Sequence, residues 1–73
     1  MRIKDPGRLF ARRLRELRGQ AGISQEKLAE KANLHRNTVG IIERGLQVPT
    51  LDVIVKLAHA LDMKPYQLID HIP

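Results

Sequence analysis

The stretch "SQEKLAEKANLHRNTVGIIERG", residues 24–45, holds two short apolar-periodic runs on either side of Asn33. Ser24 reads as an N-cap, because its hydroxyl can accept a hydrogen bond from an otherwise orphaned N–H of the next turn. The run QEKLAEKA then predicts a helix with Leu28, Ala29 and Ala32 inward and its charged side chains outward. Asn33 predicts its end, since Asn tolerates the left-handed conformation better than other residues with a Cβ. A further helix over residues 36–44 turns Val39 and Ile42 inward and stops at Gly45. Helices of two to three turns are marginal alone and must draw their stability from packing. Ala29 suits this, because a methyl side chain lets one helix cross the other closely. Together the offsets describe two helices crossing steeply over a tight turn.

Outward from this pair, Phe10, Leu14, Leu17 and Ala21 fall on one stripe of a helix over residues 8–20, and Gly22 suits the left-handed position that ends it. Residues 46–49 carry no helical pattern and read as a loop. Thr50 is a cap for a fourth helix whose inner stripe is Leu51, Ile54, Leu57, Ala58 and Leu61. Pro65 fits the first turn of a short fifth helix bearing Leu68 and Ile69, because its missing N–H costs nothing there. No segment alternates with period two and none repeats. The expectation is a compact all-α domain of five helices. With 73 residues the chain is one domain, and a domain of this size buries only about 60% of its unfolded surface, so the core is small.

Composition narrows the function. There are no cysteines, hence no disulfide or thiolate metal site, and a reducing cytoplasm is the natural compartment. No apolar run approaches the roughly 20 residues that span a bilayer, and the N-terminus lacks a signal-like apolar stretch. A soluble, cytoplasmic protein with no membrane partner is expected. The net charge is +5, and all of it lies in residues 1–19, where seven Lys or Arg face Asp5 and Glu16; the rest of the chain is formally neutral. Such a local basic footprint points to nucleic acid or another anionic surface, against the alternative of a solvated helix face.

Catalytic chemistry finds no foothold. His35, His59 and His71 are far apart, with no Glu at metal-ligand spacing on one helix face. Ser24 has no nearby base, Gly7 and residues 19–22 lack a phosphate-loop pattern, and so short a chain has little room for a substrate pocket. No enzyme, metal or cofactor is expected. His35 reads as a turn residue standing where Ser or Thr would cap better.

With these residues in hand, "ISQEKLAEKANLHRNTVGIIERGLQVPTL" followed by "LAHALDM" resembles the Cro and phage-repressor type of helix-turn-helix DNA-binding domain, the Xre-like family. The resemblance runs from about Leu9 to Ile69. It implies a lambda-repressor-like domain over residues 8–70, with the motif at about 24–44 and residues 1–7 as an N-terminal arm. It also implies that the third helix enters the major groove of double-stranded DNA while the second crosses the backbone. By position Arg36, Asn37 and Thr38 would meet base edges, with Ile41 one turn further in. Their chemistry agrees: Arg can be bidentate to guanine, Asn to adenine, and Thr or Ile methyls can touch thymine. Ile41 has an equal alternative as peripheral core. Gly40 costs roughly 1 kcal/mol against Ala inside a helix, and either a close backbone approach to the groove or a tolerant exposed site would account for it.

The resemblance further assigns Gln25 to the phosphate backbone, with Ser24 and its free N–H groups beside it, and makes Arg44 and Gln47 backbone candidates. It pairs Arg18 with Glu43 as a salt bridge tying the first helix to the third. Readers of this type work as symmetric dimers, so a homodimer is expected, with Tyr66, Ile69 and Ile72 as its surface; closure of the small core is the favoured alternative for Leu68 and Ile69, and not for Ile72. The basic face of the first helix, Arg8, Arg12 and Arg15 with Arg13 to the side, does not follow from the family; it would flank DNA or meet an acidic protein partner. The leading expectation is a bacterial or phage-encoded transcriptional regulator similar to restriction-modification control proteins and phage repressors. The alternative is an antitoxin that binds DNA secondarily, which the short tail after the fifth helix disfavours.

Overall fold

The computed structural model describes residues 5–70 and 72, and in these it contains five α-helices: α1 Pro6–Ala21, α2 Gln25–Lys31, α3 Thr38–Glu43, α4 Leu51–Ala60 and α5 Pro65–Leu68. There is no strand among the described residues. Expectations that fall on residues 1–4, His71 and Pro73 lie outside the described residues.

Four of the five helices, all but α3, begin where a side chain takes up a backbone donor. Asp5 Oδ1 accepts from Gly7 N–H at 2.9 Å, and Pro6 occupies the first turn, so α1 starts two residues before the position read from its apolar stripe. Ser24 Oγ accepts from Lys27 N–H at 3.0 Å and Thr50 Oγ1 from Val53 N–H at 3.2 Å. In α5 the cap is reversed: the Lys64 N–H donates to Gln67 Oε1 at 2.9 Å. The turn out of α1 needs Gly22 at φ 70°, which lets its N–H reach the carbonyls of Arg18 and Gly19. Asn33 takes φ 57° at the end of α2.

The core gathers Phe10 and Leu14 from α1, Leu28 and Ala29 from α2, Val39 and Ile42 from α3, Leu57 and Ala58 from α4, and Leu68 from α5, with Ala32 beside them. All are buried, and α3 is held between α1 and α2 while α4 packs on α2 and α5. Ala29 is fully buried in the α2–α3 pair, where its methyl permits the close crossing.

Three positions depart from the apolar stripes. Ala21 is exposed, because the chain has already begun to leave the core at the last turn of α1. Leu51 is 74% exposed; as the first residue of α4 it precedes the turn that meets α2. Ile69 is 40% exposed whereas Leu68 is fully buried, so α5 closes the core through one side chain.

Candidate nucleic-acid interface

The turn between α2 and α3 is built from its own side chains. The Leu34 N–H returns to the Ala29 carbonyl at 2.8 Å, which closes the end of α2. His35 Nδ1 accepts from Asn37 N–H at 3.1 Å, and the His35 carbonyl accepts from Thr38 N–H at 2.9 Å. The His35 ring thus holds the turn ahead of α3, while α3 itself has no side-chain cap. The consequence is that α3 is shorter than its sequence pattern: it starts at Thr38, and Arg36 and Asn37 stand in the preceding turn. Both are exposed, while Thr38 and Ile41 are half-buried.

What orients α3 is a clamp on its last residue. Glu43 has a side chain only 2% exposed, against 19% for Arg18. Arg18 grips it with two charge-assisted hydrogen bonds, Nε to Oε2 at 2.7 Å and Nη2 to Oε1 at 3.0 Å. Arg18 Nη1 donates to the Ile23 carbonyl at 2.8 Å, so one guanidinium joins α1, the loop before α2 and α3. Gln25 Nε2 donates to Glu43 Oε1 at 3.0 Å, and Arg15 Nη1 donates to the Glu43 carbonyl at 3.2 Å. The hydrogen bond to Glu43 raises the Arg18 pKa above its ordinary value; burial opposes this and the carboxylate's charge adds to it.

Gly40 is explained by neither reading left open from sequence. It is buried, and a Cβ there would stand 3.0 Å from Gln25 Oε1 and 3.7 Å from Arg44 Nη1. The close approach is made by the protein's own Gln25, which must cross α3 at this point to reach Glu43. Gln25 is accordingly half-buried with one amide donor engaged inside the fold.

Of the other residues singled out, Ser24, Arg44 and Gln47 are exposed. Tyr66 is exposed and Ile72 is half-buried against the core. Sequence reasoning missed a larger apolar surface: Leu46, Val48 at 70% exposure, and Leu51. Val48, Pro49, Ile54, Ile69 and Ile72 help to line a groove of about 260 Å³. The signal was available, since apolar Leu46 and Val48 occupy a loop where nothing requires them. Among the described residues no group of His, Cys, Asp or Glu could hold a metal ion, and no helix is long and apolar enough to cross a membrane.

Comparison with known proteins places this geometry. A helix-turn-helix family model matches residues 14–68. The chain is 41% identical over 63 residues to control protein C.BamHI of Bacillus amyloliquefaciens, covering 85% of this chain and 78% of that one. It superposes on the restriction-modification controller protein C.AhdI of Aeromonas hydrophila with a TM-score of 0.82 and 48% identity, over 85% of this chain and 90% of that one. The hypothetical transcription factor NHTF from Neisseria gives a TM-score of 0.82 at 33% identity, over 94% and 83% of the two chains. With the family model matching most of the chain and relatives above 30% identity over most of their length, this chain is a member of the Xre-like helix-turn-helix family, whose members are DNA-binding transcriptional regulators rather than enzymes.

Proposed function

We propose that the chain reads a pseudo-palindromic operator as a homodimer, in the restriction-modification controller role that the names of its relatives describe. The observation that carries this reading is the pairing of exposed Arg36 and Asn37 with an α3 clamped through Glu43. A guanidinium and an amide in the turn that leads into a fixed helix can present bidentate donors and acceptors to base edges. Thr38 and Ile41 add methyl contacts. Ser24, Gln25, Arg44 and Gln47 surround that helix and set its register on phosphates without reading sequence.

One short helix addresses too few base pairs for specificity, so two copies are required. Exposed apolar side chains supply the contact between them, Val48 and Ile69 in one groove together with the exposed Leu46, Leu51 and Tyr66. A symmetric dimer would set its half-sites about one helical turn apart, roughly 34–36 Å. Selection from random duplex DNA with purified protein at near-physiological salt tests the reading. Enrichment of an inverted repeat with that spacing is the expected result. A pool with no enriched motif removes the operator-reading function.

A further inference from the structure

Arg8, Arg12 and Arg15 recur at i, i+4 and i+7, so they share one face of α1 over about 10 Å of helix axis. The fold sets this face against the C-terminal end of α3. Arg8, Arg12, Arg15 and Arg44 line one groove of about 530 Å³, which they share with Glu43 and the apolar Leu46. The Glu43 carboxylate offers the groove little opposing charge, being buried and gripped by Arg18. We propose that this groove is a second phosphate-binding surface, which holds the DNA backbone flanking the half-site read by α3.

The arginines are ready to exchange partners. Arg12 meets Glu16 at 3.3 Å and Arg8 meets Asp5 at 4.0 Å, in pairs whose side chains are all more than half exposed; such pairs hold their ions weakly. Arg44 makes no ion pair among the described residues. Arg15 spends one N–H on the Glu43 carbonyl, which leaves most of its donors. Arg44 also ties the groove to the rest of the interface. Its guanidinium and the Gln25 amide both flank the bare Cα of Gly40, so the groove reaches the polar side chain that starts α2. An acidic protein partner fits less well, because protein interfaces deplete charge at their centre, whereas this groove gathers four arginines.

The proposal rests on the operator-reading function, yet the two fail separately. Binding of the full chain and of R8A/R12A/R44A to the selected duplex and to a scrambled duplex of equal length is measured by fluorescence anisotropy across a salt series. Each lost phosphate contact flattens the plot of log affinity against log salt by about 0.9, so the variant is expected to be shallower by roughly two to three. Affinity for both duplexes should fall on the order of tenfold at physiological salt, with discrimination between them retained. R8K/R12K/R44K keeps the charge and should keep the slope. Should the triple variant fail to fold, as read by circular dichroism, Arg12→Ala alone should flatten the slope by about 0.9. An unaltered slope overturns the groove; if the variant then loses binding to poly-glutamate, the surface belongs to an acidic protein partner. Wild-type protein that cannot tell the two duplexes apart overturns operator reading instead.

Discussion

The Gln25 side chain crosses α3 directly over Gly40 and donates from Nε2 to Glu43 Oε1 at 3.0 Å, in a pose where a Cβ on Gly40 would stand 3.0 Å from Gln25 Oε1. The absence of one methyl group from α3 is thus what allows α2 to contribute to the clamp on Glu43. Gly40→Ala should gain about 1 kcal/mol of helix propensity and lose a hydrogen bond to a charged group of about 1.5–3 kcal/mol as Gln25 shifts aside. A net loss of about 0.5–2 kcal/mol is expected. In the Gln25→Ala background the same substitution should instead stabilise, because no side chain is left to displace. Urea unfolding of the four proteins of this cycle checks both signs; equal effects of Gly40→Ala in the two backgrounds would refute the coupling.

Arg18→Ala leaves the Glu43 carboxylate buried with Gln25 as its remaining side-chain partner. A loss of about 3–5 kcal/mol is expected, the usual penalty for an uncompensated buried charge, and urea unfolding measures it. Arg18→Met with Glu43→Leu should recover most of that loss, since desolvating an ion pair is itself costly. The pH dependence has a definite sign. The Arg18 pKa is raised by folding, so its contribution is fully present below the already strongly alkaline unfolded value and is lost only as pH rises through the higher folded value. The Arg18→Ala penalty should therefore not vary with the titration of Arg18 anywhere in the neutral or mildly alkaline range.

Arg36 stands in the exposed turn before α3 and takes part in no ion pair among the described residues. Arg36→Ala should cost about 1–3 kcal/mol on the selected operator and little on scrambled DNA. Anisotropy titrations with both duplexes provide the test; equal losses would remove Arg36 from the base-reading residues.

Val48 and Leu51 are 70% and 74% exposed, so charging them should leave the core untouched. Val48→Lys with Leu51→Lys is expected to leave the unfolding midpoint within a few degrees while shifting sedimentation from dimer to monomer. A wild-type protein that sediments as a monomer at micromolar concentration, or a doubly substituted one that remains dimeric, would place the contact elsewhere.

Much of the fold was legible because the information was local. Ser24, Thr50, Pro65, Gly22 and Asn33 mark helix ends through interactions within a few residues, and the apolar stripes of α1, α2 and α4 announce their buried faces. The site was less legible. The α3 pattern read as starting at Arg36, but the His35 ring accepts from Asn37 N–H and delays the helix to Thr38. Leu51 fits the stripe of α4 by period, yet it lies beyond the reach of α2, and periodicity carries no information about where a packed neighbour ends.

The sequence by itself determined the class of the molecule: five short helices, a basic first segment, and a short polar turn ahead of a helix with two inward aliphatic side chains. Caps, turns and stripes are set by residues near one another in the chain, so they can be read without coordinates. Only the tertiary structure decided that Gly40 is buried under Gln25, that Arg15, Arg18 and Gln25 converge on Glu43, and that Arg44 joins Arg8 and Arg12 in one groove. Those contacts join residues 15 to 36 positions apart, and their geometry depends on the angle at which α3 crosses α1 and α2, which the packing of Leu14, Ala29, Val39 and Ile42 sets.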